Sequence, residues 1–162
     1  MNNTKSLLNG PATEEVLKEY HCLENVDRVP HDPETTDFKR TARLLQSLWR
    51  EKQGLPIGSQ PMVSRDGKPV RPLGSRIDLK TARETGANFL SEGVRSAVTK
   101  RLDNPQPHQT IDADRLYCDL LSSMPMCFNL FGELAGDIPL ADKAVHSWWP
   151  DIPGTVIDVI FE

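Results

Sequence analysis

The stretch Leu121-Ser122-Ser123-Met124-Pro125-Met126-Cys127-Phe128-Asn129-Leu130-Phe131-Gly132-Glu133-Leu134 decides how this chain is read. Its centre, Met124 to Gly132, is the most apolar run of the sequence, and such a run is expected to be buried. Just upstream, Asp112 is placed to cap a helix carrying Leu116, Leu120 and Leu121. That helix must stop or kink near Pro125, whose ring lacks an N–H and crowds the preceding turn. Downstream, Pro139 opens a further helix through Leu140, Ala144, Val145 and Trp148, and Pro150 closes it. Of the pair Trp148-Trp149, one indole is expected in the core and the other at its rim.

Towards the N-terminus, helical spacing recurs. Ser91 precedes Val94, Val98 and Leu102, a helix ended by Pro105 and Pro107, and Asp78 opens a shorter one in which Leu79, Ala82 and Phe89 face a core. Between Gly54 and Arg76 the pattern dissolves into Gly54, Pro56, Gly58, Pro61, Gly67, Pro69, Pro72 and Gly74, which reads as a long loop or a hairpin around Asp66-Gly67. Before it, Asp32 as cap and Pro33 in the first turn start a helix whose apolar face is Phe38, Ala42, Leu45 and Trp49. Lys39, Arg40, Arg43 and Arg50 form its basic face, and Gly54 stops it. Thr13 caps a short helix with Val16, Leu17 and Tyr20 inward, after a polar tail over residues 1–12. At the far end, Thr155-Val156-Ile157-Asp158-Val159-Ile160-Phe161-Glu162 is rich in β-branched residues and reads as a strand. The fold class expected is an α+β fragment: a mostly helical part leading into the first strand of a sheet.

The composition sharpens this. The 162 residues, 38% hydrophobic and 26% charged, suffice for one compact domain. The net charge of −4 hides a division: residues 1–37 hold 3 basic and 8 acidic residues, 38–101 hold 14 and 5, and 102–162 hold 2 and 10. A basic middle between acidic flanks speaks either of an anionic partner or of flanks folded against the middle. No run approaches the roughly 18–20 apolar residues of a membrane helix, and residues 1–10 lack the apolar core of a secretory signal, so a cytoplasmic protein without a membrane partner is expected. Cys22, Cys118 and Cys127 are odd in number and without a C-x-x-C pair, which suits free thiols.

Phosphate-binding glycine loops, H-E-x-x-H and G-x-S-x-G are absent, and His21, His31, His108 and His146 are scattered. Asp112, Asp114 and Asp119 are explained by capping and the helix dipole, and Ser122 and Ser123 as helix-end residues. Two features remain. Arg65, Lys68, Arg71, Arg76 and Lys80 stand in and just after the glycine- and proline-rich segment against only Asp66 and Asp78, a pattern suited to a phosphate backbone. Glu162 ends an apolar strand, where a carboxylate would be held at a sheet edge as a magnesium ligand is.

The segments Arg43-Leu44-Leu45-Gln46-Ser47-Leu48-Trp49-Arg50-Glu51, Arg71-Pro72-Leu73-Gly74-Ser75-Arg76, Asn88-Phe89-Leu90-Ser91 and above all 121–134 resemble bacterial restriction-endonuclease-like proteins of the PD-(D/E)XK nuclease superfamily. The family's signature looks like L-S-S-Q-P-L-x-F-N-L-F-G; this chain has Met124 where glutamine is usual and Met126 in place of leucine. The resemblance runs from about Phe38 to Glu162, which divides the chain into an acidic extension with a short helix (1–37) and a nuclease-like part (38–162). It implies a restriction-endonuclease-like sheet, DNA as substrate, Mg2+ as cofactor, and Glu162 as the first catalytic and metal-binding acid. The family's later aspartate and E-x-K strand would lie beyond residue 162, so the chain is expected to be the N-terminal part of a longer nuclease, neither active nor Mg2+-binding by itself. Two other readings stand beside this one: a non-catalytic module contacting nucleic acid through the same five cations, and an interaction fragment whose acidic flanks neutralise its basic middle. Self-association through Val156 to Phe161 is a further expectation.

Overall fold

A computed structural model of the chain describes residues 12–22, 37–59, 71–105, 107 and 110–161. It is mostly helical with one small sheet, an α+β arrangement. The elements are α1 (Glu14–Glu19), α2 (Asp37–Lys52), β1 (Ile57–Ser59), β2 (Pro72–Ile77), α3 (Leu79–Thr85), α4 (Glu92–Asp103), α5 (Ala113–Cys118), α6 (Ser123–Gly136) and α7 (Ile138–Trp148).

Most helices begin where a short polar side chain can accept from an otherwise unpartnered N–H. Thr13 caps α1, Asp78 α3, Ser91 α4, Asp112 α5, Ser122 α6 and Asp137 α7. Gly86, in the left-handed region at φ 61°, ends α3, where a side chain would be strained. The hairpin read around Asp66-Gly67 is seen in its two arms: β1 and β2 pair antiparallel, Gly58 opposite Leu73 and Ser59 opposite Pro72, with a bulge after Ile57. The turn itself lies outside the described residues, as do Asp32 and Pro33.

Three buried clusters form the interior. Phe89, Val94, Val98, Leu116 and Phe128 join α4, α5 and α6. Ala12, Leu17, Cys22 and Leu44 fix α1 to α2, and Ile77, Ala82 and Cys118 tie β2 to α3 and α5, with Trp49 against them. Where α4 crosses α6, a Cβ on Gly132 would stand 3.0 Å from the Val94 Cα. The missing side chain is therefore what sets the approach of the two helices.

Several expectations are corrected. Pro125 does not end a helix; α5 stops at Cys118, and Pro125 sits in the first turn of α6, where its missing N–H is harmless. The apolar run 124–132 is buried on one face only, through Pro125, Phe128 and Gly132, while Met126, Leu130 and Phe131 face outward. In α2 the buried positions are Leu44, Ser47 and Arg50, and Phe38 is 78% exposed, so the helix is rotated from its most apolar face towards one that hydrogen-bonds β2. Trp148 and Trp149 are both more than half exposed and meet edge to face with ring centres 5.8 Å apart.

The strand expected over 155–162 is not formed: residues 155–161 join no ladder among the described residues. Side chains anchor this segment instead. Val156 N donates to Asp142 Oδ1 (2.7 Å), the Phe161 carbonyl accepts from Arg101 Nε (2.9 Å), and the Phe161 ring stacks on Phe128 at 4.3 Å. β propensity describes a fit to a pleated, half-buried surface, and no neighbouring strand among the described residues provides one.

Candidate nucleic-acid interface

The site starts from β2, whose residues Leu73 to Ile77 are all buried. The polar members of this strand are satisfied one by one. Gly74 N donates to the His21 carbonyl at 3.0 Å, and the Gly74 carbonyl accepts from Arg50 Nε at 2.9 Å. A Cβ on Gly74 would collide with the Tyr20 carbonyl and Ser47 Oγ, so only glycine admits α2 and the turn after α1 this close. On the opposite edge of β2, Leu120 N donates to the Ser75 carbonyl (3.0 Å), and Arg76 forms an isolated antiparallel bridge with Asp119.

Arg76 therefore lies inside. It is 5% exposed, its Nη1 donates to the Ser59 carbonyl at 3.0 Å, and its Nε stands 4.0 Å from Asp119 Oδ2. That separation permits ion pairing without a hydrogen bond, and the buried Nε has no acceptor among the described residues. The phosphate contact expected of Arg76 is not available in this arrangement; its charge is turned towards Asp119. The same charge opposes the upward shift that burial imposes on the Cys118 thiol, and burial prevails.

The remaining expected cations divide. Arg71, just before β2, is exposed. Lys80, in the first turn of α3, is exposed and 3.8 Å from Glu84 one turn on. Arg65, Lys68 and Glu162 lie outside the described residues. The structure adds two cations that sequence reading passed over. Arg83 shares the Lys80 side of α3 at i+3 spacing, and its Nη2 meets Asp114 Oδ1 of α5 at 2.6 Å. Arg115 Nε stands 3.7 Å from Asp119 Oδ2, the carboxylate that Arg76 also approaches. The seam of α3 and α5 thus carries Lys80, Arg83 and Arg115 outward, each beside a carboxylate. A mixed-charge cleft of about 470 Å³ adjoins it, lined by Arg83, Glu84, Glu92, Arg95 and Tyr117. A second cleft of about 520 Å³, lined by Trp49, Asn88, Pro125, Met126 and Leu130 among others, holds no charged side chain.

The run 121–134 plays a different part. Ser122 caps α6, Phe128 fills the core, and Gly132 admits α4. Asn129 clamps the turn before α4: its Oδ1 accepts from Leu90 N and its Nδ2 donates to the Asn88 carbonyl, each at 2.9 Å. Glu133 accepts from Ser91 Oγ, the cap of α4. These residues build the fold.

A sequence model of the PD-(D/E)XK nuclease superfamily matches residues 30–162. The chain belongs to that superfamily. No curated protein and no solved structure matches it. In this PD-(D/E)XK chain three tripeptides read D-x-K, at Asp37, Asp66 and Asp78. Among the described residues only Asp78-Leu79-Lys80 directly follows a strand, and its carboxylate is committed to capping: Asp78 Oδ1 accepts from Thr81 N (2.9 Å) and Thr81 Oγ1 (3.0 Å). These hydrogen bonds hold its pKa below the ordinary carboxylate value.

The superfamily usually uses divalent metals. Hard cations take several oxygen ligands at once. Among the described residues no group of three or more His, Cys, Asp or Glu is placed to hold a metal ion. Asp112 is a helix cap, and Asp114 and Asp119 face arginines. The described part of this nuclease-family chain therefore does not fit a metal by itself.

Proposed function

We propose that this chain engages DNA through its phosphate backbone and serves phosphodiester hydrolysis as part of a PD-(D/E)XK nuclease. The observation that carries the reading is the superfamily match over residues 30–162. The exposed cations Arg71, Lys80, Arg83 and Arg115 support it, because planar guanidiniums bond phosphate oxygens bidentately and ammonium groups neutralise them. Arg65 and Lys68 extend the same basic run, and Glu162 is the acid offered to a metal. The chain by itself is proposed to bind without cutting.

Binding of a labelled duplex measured by fluorescence anisotropy tests the reading. Affinity should fall steeply with salt, and R71A and K80A should each weaken binding and flatten the slope of log K against log salt by about 0.9. A salt-independent or absent signal would dismiss DNA as partner. Efficient Mg2+-dependent cleavage by the pure chain, lost in E162Q, would show that it needs no further groups.

One observation favours the reading of internal neutralisation as well. Asp114 and Asp119, from the acidic C-terminal third, pair with Arg83 and Arg76 of the basic middle. The flank does fold against the middle at this seam.

A further inference from the structure

Three of the exposed cations suited to phosphate, Lys80, Arg83 and Arg115, stand beside carboxylates of the chain itself. Arg83 and Asp114 are each about half exposed and 2.6 Å apart, joining α3 to α5. Carboxylate and phosphate present the same kind of paired oxygens to a guanidinium fork, and an exposed ion pair is weak enough for another anion to displace. Lys80 is held in the same way by Glu84. On this basis we infer that Arg83 and Arg115 are phosphate-backbone contacts occupied in the free chain by Asp114 and Asp119, which DNA displaces. The inference rests on the DNA-binding reading above and adds its regulation.

The surroundings of both carboxylates make the exchange cheap. Asp119 Oδ2 lies between two guanidiniums, 3.7 Å from Arg115 Nε and 4.0 Å from Arg76 Nε. The inner one still has a buried Nε without an acceptor among the described residues. When a phosphate takes Arg115, the carboxylate can close onto Arg76 while its Oδ1 keeps the bond from Leu121 N (3.1 Å). Asp114 stands in the first turn of α5, where the helix dipole favours a carboxylate whether or not Arg83 is its partner. Neither acid is stranded by the arrival of DNA. Such an interface would discriminate against anions too weak to compete with a built-in carboxylate.

The test is anisotropy of a labelled duplex, without divalent metal, on the full 162-residue chain. D114N should bind roughly three- to tenfold tighter than wild type at low salt with the slope of log K against log salt essentially unchanged, because Arg83 meets its phosphate in both complexes and only the competing carboxylate is removed. E84Q should do the same for Lys80. D151N makes the same charge change on the exposed loop after α7, outside these ion pairs, and should shift affinity by less than about twofold, because it frees neither Arg83 nor Lys80. In the background of R83A, adding D114N should bring no gain. An equal gain from D114N and D151N, or a gain that survives loss of Arg83, would overturn the inference by reducing it to net charge. If wild type binds and D114N binds no better, this inference alone falls; if neither binds, the DNA reading falls with it.

Discussion

A single carboxylate, Asp78, shows how one residue closes off one chemistry and supplies another. It lies in a D-x-K tripeptide at the end of a strand, yet its oxygen accepts both Thr81 donors and starts α3. Replacing it with alanine should cost about 1 kcal/mol in denaturant unfolding, the usual worth of such a cap. The pH dependence follows from its lowered pKa. The unfolded carboxyl titrates near about pH 4, and the folded one lower, so the stabilisation is complete above that range and is lost as pH falls through the folded value. The stability gap between wild type and D78N should therefore narrow on acidification; a gap that stays constant down to full protonation would contradict the capping role. This residue was legible in the sequence as a cap, because an aspartate before an apolar periodic run has a local reason to be there. Arg76 was not. Its inward course depends on Ser59 and Asp119, which are 17 and 43 positions away, and no local pattern announces such partners.

Among the elements, α6 decides the architecture, and two of its glycines separate packing from propensity. A methyl on Gly132 would press on the backbone of Val94, while one on Gly136 would meet nothing within 4 Å. Alanine is preferred over glycine in a helix by up to about 1 kcal/mol, but overpacking costs about 1–3 kcal/mol. G132A should lower the denaturation midpoint and G136A should hold or raise it; the reverse order would show that α4 and α6 do not meet as described. N129A should cost about 1–3 kcal/mol, because it removes two hydrogen bonds, to Leu90 N and the Asn88 carbonyl, each worth about 0.5–1.5 kcal/mol. Helix starts were legible throughout, since caps are local. Helix faces were less so: α2 turns Ser47 and Arg50 inward because they bond Cys22, Gly74 and Leu55, whereas Phe38 stays exposed among the described residues. The unpaired course of 155–161 has a similar cause, since β-branched residues make a ladder only when a second strand provides one.

For the whole molecule, the charge division seen along the sequence becomes a contact. The acidic third supplies Asp114 and Asp119 to the basic middle, so part of the apparent surplus of cations is answered within the fold. Raising salt well above physiological levels should therefore lower the melting temperature by up to about 2–4 °C, the shift that 1 kcal/mol produces in a domain of this size. A melting temperature that rises with salt would mean that repulsion within the middle dominates. The family membership was legible because residues 121–134 serve the fold, and a fold-building run tolerates little change in size or hydrogen bonding. The interface was only half legible, since Arg83 and Arg115 become neighbours of one seam through the packing of α3 on α5. The exposed pair Trp148-Trp149 has a practical consequence for all such measurements. Two of the three indole chromophores already sit in water when the chain is folded. Their emission should be red-shifted and open to collisional quenching from the start, so unfolding will change tryptophan fluorescence little. Peptide circular dichroism is the better gauge of denaturation, and a W49F variant would leave a luminescent label confined to the end of α7.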